Sequence, residues 1–304
     1  MERRQFIKNI LGATALASLT PLPSLLAADG SKKLCILHTN DVHSHIDPFP
    51  ADHPKYAGLG GFARRASLIK QIREQEDNIL LLDAGDVFQG TPYFNMFGGE
   101  LEYKLMSQMG YDAGTIGNHE FDNGLEGLKK QLPNANFEIL NANYDFSNTT
   151  LEGQFKPYKI FNKKGIKVGV FAVGISLDGL VDKKMYKETK YNDALDVSQE
   201  YAKKLKEEEG CHLVICLSHV GYNYRNPEIV SDTKIAANSE HIDLIIGGHT
   251  HTFLTTPDKV KNKNGKEVMI VQTGWAGINL GRVDINFDQR LGVKEINGGY
   301  SSIC

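Results

Sequence analysis

Short apolar runs that stop abruptly at polar, metal-capable side chains recur along this 304-residue chain, and they commit it to a fold built on buried sheets. LCIL before HTND, ILLL before DAGD, LVICL before SH, and LII before GGHTH are each too short for an ordinary helix. They are also rich in Val, Ile and Leu, the composition of strands covered on both faces. Strands are expected within 34–41, 78–86, 112–116, 137–143, 211–221, 242–251, 267–274 and 281–288. A hairpin is expected over 157–174, turning at Asn162-Lys163-Lys164-Gly165. Apolar residues at helical spacing predict helices over 59–76, 99–109 and 193–209, and another from the end of the 112–116 strand through Leu128. Strand and helix alternate early and the end is nearly all strand. That order fits an α/β fold of two packed mixed sheets with helices outside. No linker divides 32–300, so one domain is expected there.

Residues 1–28 read differently. A charged start is followed by an apolar stretch from Ile10 to about Leu26 and then small residues around Ala27-Ala28, the pattern of an export signal. Pro21 and Pro23 interrupt the apolar run, so no stable membrane span is expected. Arg3-Arg4-Gln5-Phe6-Ile7-Lys8 resembles a bacterial twin-arginine signal, which implies a periplasmic or exported protein carried across already folded.

Five expected strand ends carry chemistry. Beyond the carboxyl ends of strands lies the usual ligand crevice of such sheets. There the chain places Asp41-Val42-His43, then Asp86, then Asn118-His119, then His219, then His249-Thr250-His251. A lone histidine at a strand end is usually packed or solvated; five such ends in order, with adjoining glycines, point to one centre. Seven of these side chains fit one arrangement of two divalent ions. Imidazole and carboxylate together suit zinc, manganese, iron, cobalt or magnesium. Asp86 would bridge the ions, Asp41, His43 and His251 would complete one site, and Asn118, His219 and His249 the other. An extended 249–251 segment would send both imidazoles to the same side, one to each ion.

These pieces (LCILHTNDVHSHI, DAGD, YDAGTIGNHEFD, LSHVG and GGHTH) resemble the metallophosphoesterase superfamily and, within it, the 5′-nucleotidase group, over about residues 34–288. The resemblance implies a four-layer α/β/β/α sandwich of two mixed sheets, the same seven ligands, and hydrolysis of phosphate esters, nucleoside 5′-monophosphates first. A hydroxide held between the ions would attack phosphorus. In the resembled pattern His119 faces the substrate and not a metal, with Asp122 orienting it. The alternative for Asp122 is a cap on a helix starting at 123. Glu120 reads as a turn residue.

Two-domain members of the group carry a further domain that binds the nucleoside. This sequence ends at Cys304, so a separate nucleoside-binding chain acting in trans is the expected partner. Phosphodiester or nucleotide-sugar hydrolysis and a sulfur-oxidation thiohydrolase reaction stay open, as does a non-catalytic metal-binding subunit of an exported complex. Nucleic acid polymers do not fit: 34 Lys and Arg stand against 37 Asp and Glu, and removing 1–28 makes the chain more acidic still.

The four cysteines have no metal-knuckle spacing. Cys211 and Cys216 read as buried thiols on opposite faces of one strand. His38 reads as a hydrogen-bonded core residue and His45 as a neighbour of the site. His53, His212 and His241 read as surface positions. Trp275 reads as core packing, with substrate contact as the alternative.

Overall fold

The computed structural model describes residues 32–304, so the expected export signal lies outside the described residues. The first half of the chain forms β1 (Lys32–Thr39), α1 (Phe62–Gln75), β2 (Ile79–Asp83), α2 (Pro92–Phe97), α3 (Glu100–Met109), β3 (Ala113–Thr115), α4 (Gly124–Gln131), β4 (Glu138–Leu140) and β5 (Tyr144–Asp145). Then follow β6 (Tyr158–Lys163), β7 (Ile166–Gly174), α5 (Lys183–Tyr186), β8 (Lys190–Tyr191), α6 (Ala194–Lys203), β9 (Leu213–His219) and α7 (Asp232–Asn238). The chain closes with β10 (Leu244–Gly247), β11 (Asp258–Lys261), β12 (Glu267–Val271), β13 (Asn279–Phe287) and β14 (Val293–Ser302).

Two six-stranded mixed sheets result, ordered β14-β13-β1-β2-β3-β4 and β11-β12-β10-β9-β7-β6. In the first, β1 to β4 run parallel, and β13 and β14 extend one edge antiparallel. In the second, β12, β10, β9 and β7 run parallel between antiparallel edges. Alternation along each buried strand builds the layers. Leu34, Ile36, Leu80 and Leu82 meet Val168, Val170, Leu213, Ile215, Leu217 and Ile246 between the sheets. The alternate residues Cys35, Leu37 and Leu81 face Phe62, Ile69, Met106, Leu125 and Leu128 of the first helical layer. Val214, Cys216, Ile245 and Ile270 face Ala202, Leu205, Ile235 and Ala236 of the second. The architecture is therefore the expected α/β/β/α sandwich. Lys164 and Gly165, both left-handed, form the expected hairpin turn.

Several expectations change. The helix expected through Leu128 is broken: His119–Phe121 is a 3₁₀ turn, and α4 starts only at Gly124. Asn123 is its N-cap residue, with no side-chain cap bond, so Asp122 does not cap it. β9 begins at Leu213, so strand parity does not reach Cys211. Both Cys211 and Cys216 lie in the cluster under the second helical layer. His38 is buried in β1, yet neither ring nitrogen has a hydrogen-bond partner, and burial pushes it down to about 3, leaving it neutral.

Candidate active site

The parallel strands of both sheets deliver the candidate residues. β1 ends at Thr39 and β2 at Asp83, but their loops stay in register a little further. Asp41 N–H donates to the Gly85 carbonyl at 2.9 Å, and His43 N–H donates to that of Asp86 at 3.1 Å. This continuation requires unusual backbone. Asp41, His43, Asp86, His249 and His251 all have positive φ, between 49° and 71°. Each such residue costs on the order of 1–3 kcal/mol, and clusters of them persist where function demands the geometry. The 249–251 segment is thus not extended as expected. Left-handed turns, not strand alternation, aim its two imidazoles at different partners.

The side chains expected as ligands converge. Donor atoms of Asp41, His43 and His251 lie within 4.8 Å of one another, as do those of Asp86, His219 and His249. A third group, His43, Asp86 and His119, links them. His251 Nε2 is 3.4 Å from Asp41 Oδ1, and His219 Nε2 is 3.0 Å from Asp86 Oδ2. His249 Nδ1 is 2.8 Å from Asn118 Oδ1, which brings Asn118 to the second group. Donors sharing one ion through bonds of about 2.0–2.2 Å at right angles lie about 3 Å apart, so these separations fit.

Three features show that the donor set suits cations. First, His43 Nε2 faces His251 Nε2 at 3.0 Å, while His43 Nδ1 lies 3.2 Å from the Phe88 carbonyl and donates to it. Two ring nitrogens so placed repel unless a proton or a metal lies between them. Second, His219 donates from Nδ1 to the Ala84 carbonyl at 2.7 Å, which fixes the tautomer and aims Nε2 at the carboxylate. That Nε2 lies 3.0 Å from Asp86 Oδ2 and has no hydrogen-bond partner, so the two form an ion pair only when the ring carries a proton. Third, burial alone would lower the His219 pKa, but Asp86 overrides it and raises it to about 10. Burial likewise opposes ionisation of Asp86, and the adjacent imidazoles, His219 foremost, hold its carboxyl well below the usual range. A buried carboxylate among imidazoles demands positive charge, supplied by a proton or by a metal. Burial keeps His43 and His249 neutral, the form that ligates metal.

The surrounding shell holds this arrangement. Asn40 donates to Asp41 Oδ2 at 2.6 Å and to the Gly274 carbonyl at 2.7 Å, and accepts from Thr273. His119 N–H donates to Asp86 Oδ1 at 2.8 Å. A Cβ on Gly117 would fall 2.2 Å from Asp86 Oδ1 and 2.5 Å from His219 Nε2, so only glycine lets the third loop approach. A Cβ on Gly248 would likewise fall 2.8 Å from His219 Nδ1 and 2.9 Å from the Ala84 carbonyl oxygen.

Glu120, expected as a turn residue, is instead a buried clamp. Its carboxylate accepts backbone N–H groups from Gly117, Asp86, Val87 and Phe88, tying the β2 loop to the β3 loop. Asp83 points away from the donors, accepting from Thr39 Oγ1 and the Gly85 N–H.

His119 and Asp122 pair as expected: His119 Nδ1 donates to Asp122 Oδ2 at 2.8 Å. That hydrogen bond outweighs burial and raises the imidazole pKa, with Asp86 adding to it. About a third of the His119 side chain is exposed. His212 and His241 are half-buried and remote from the donors. His212 accepts the Lys167 N–H, and His241 lies 3.2 Å from Glu207.

The family model of the calcineurin-like phosphoesterases matches residues 35–253. This chain belongs to that family. The 5′-nucleotidase of the snake Gloydius brevicauda is 37% identical over 296 residues, covering 90% of this chain and 49% of that protein. A trifunctional nucleotide phosphoesterase of Bacillus subtilis is 36% identical over 295 residues, covering 86% of this chain and 18% of that protein. Among solved structures, a 5′-nucleotidase precursor from Thermus thermophilus superposes with a TM-score of 0.80 and 30% identity, over 90% of this chain and 55% of that one. The calcineurin-like phosphoesterase chain thus spans about half the length of the 5′-nucleotidases it matches. Members of the family use two divalent metal ions, and the donor groups described above fit them.

Proposed function

We propose that this calcineurin-like phosphoesterase hydrolyses phosphate monoesters, nucleoside 5′-monophosphates foremost. Asp41, His43 and His251 would hold one divalent ion, Asn118, His219 and His249 the other, and Asp86 both. The observation that carries this reading is the position of Asp86, whose carboxylate lies with His219 and His249 in one donor group and, in the linking group, with His43, a member of the other. The relatives favour nucleotides, since nucleotidases and a nucleotide phosphoesterase stand among them.

When bound, the two ions would make a water molecule acidic enough to attack phosphorus and would offset charge on the phosphoryl oxygens. The protein's own residues supply the rest. Asp122 holds His119 through Nδ1, fixes its orientation and favours the imidazolium. The other ring nitrogen is then free to donate to a phosphoryl oxygen or to the departing oxygen. Asp86 accepts the His119 N–H, which couples the placement of that ring to the metal-holding loop. Glu120 keeps both loops in register.

Export through the twin-arginine signal at Arg3-Arg4 is part of this reading. No helix among the described residues is long and apolar enough to cross a membrane.

The test is hydrolysis of AMP and of an aryl phosphate by protein stripped with a chelator and then resupplied with manganese or zinc. Activity lost on stripping and regained with metal is expected for both esters. Metal uptake without turnover of either ester would overturn the phosphomonoesterase reading.

A further inference from the structure

A chain of aromatic rings starts at the candidate ligand His251 and runs outward along the rim of the site. Trp275 stacks on His251, with centroids 5.8 Å apart and planes at 9°. Its indole N–H donates to Tyr56 Oη at 3.4 Å. Tyr56 faces Phe253 at 6.5 Å and 20°. His45 and Phe49 close the inner edge, 5.3 Å and 6.0 Å from Trp275, and Phe49 lies 5.4 Å from Tyr56. These rings do not form an ordinary core. Phe253 is 38% exposed, and Phe49, Tyr56 and Trp275 are only half-buried. Residues 45–56 contain no helix or strand; turn hydrogen bonds, among them Phe49 N–H to the Leu59 carbonyl and His53 N–H to the Pro50 carbonyl, hold them at the rim together with the ring contacts. The rim at His119 and Asp122 presents a polar pair instead.

We propose that Trp275, Tyr56 and Phe253 form a stacking platform for a flat aromatic group, a nucleobase or an aryl ring, on the leaving side of a phosphate ester. This rests on the hydrolase reading above. A phosphate held beside His251 lies next to Trp275, and the group it is esterified to passes over the half-exposed rings beyond. Stacking of this kind accepts any planar ring and needs no hydrogen-bond readout, so it favours aromatic esters as a class. It would be a subsite built from this chain alone.

Trp275 is the sole tryptophan, so its emission reports the platform without any need for turnover. Adenosine, a nucleoside without phosphate, and ribose are each titrated into metal-loaded protein, with excitation at the red edge where adenine does not absorb. Saturable quenching or a spectral shift with adenosine, and none with ribose, is expected. Emission unchanged by adenosine up to about 10 mM would overturn the platform. In a kinetic arm, AMP is compared with glycerol 2-phosphate. The wild type should prefer AMP about tenfold in kcat/KM, and combined Tyr56→Leu and Phe253→Leu substitutions should bring that ratio close to one, a change of about 1.4 kcal/mol. An unchanged ratio would also overturn the proposal. If neither ester is turned over, the hydrolase reading fails, and the emission titration still decides whether the rings bind a base.

Discussion

Asp86→Asn is expected to remove bound metal and to abolish turnover together. The substitution preserves size and leaves one carbonyl oxygen, but it removes the charge that lies between His219 of one donor group and His43 of the other. In the folded chain this carboxylate is almost fully buried, lies 3.0 Å from His219 Nε2 and 3.9 Å from His43 Nε2, and accepts the His119 N–H. A neutral amide there presents its NH₂ either to an imidazole or to the His119 N–H, and neither arrangement replaces a bridging carboxylate. Asp83→Asn provides the internal control. Asp83 is equally buried and only three residues away, but its oxygens are taken by Thr39 and Gly85. It should keep its ions. Elemental analysis of the two variants checks this, and an Asp86 variant with full metal content would show the bridge to be misplaced.

His119→Ala should behave in the opposite way: both ions stay and kcat falls by about 10²–10⁴-fold, the span expected of one positioned proton donor or charge-stabilising group. The reasoning is geometric. His119 Nδ1 is engaged by Asp122 at 2.8 Å, and a third of the side chain reaches solvent, whereas His219 is fully buried with Nε2 aimed at Asp86. His249→Ala removes a nitrogen 2.8 Å from Asn118 Oδ1 and should lose metal. Loss of metal in the His119 variant would refute this division, since His119 also lies within reach of His43 and Asp86.

Much of this centre could be read in the sequence because its chemistry repeats: strands of Val, Ile and Leu that break at Asp, His or Asn show their ends plainly. The backbone at those ends could not be read so. The expectation of an extended 249–251 segment carried strand alternation past Gly247, where the chain instead turns left-handed at His249 and His251. Glu120 looked like a turn residue because its partners Asp86, Val87 and Phe88 lie more than thirty positions earlier and offer only backbone N–H groups, which no side-chain pattern reveals. β14 escaped for a related reason. VKEINGGYSS has glycines and polar residues on both faces, and it is a strand because its backbone pairs with β13 at the sheet edge. α7 is seven residues long, too short for periodicity to register, and depends on Ser231 at its N-terminus.

The most direct measurement is the metal content of the folded, fully active protein. After reconstitution with manganese or zinc and removal of loose metal, the account predicts about two divalent ions per chain, with activity rising in step as both are filled. Full activity at one ion per chain, or at none, would contradict it.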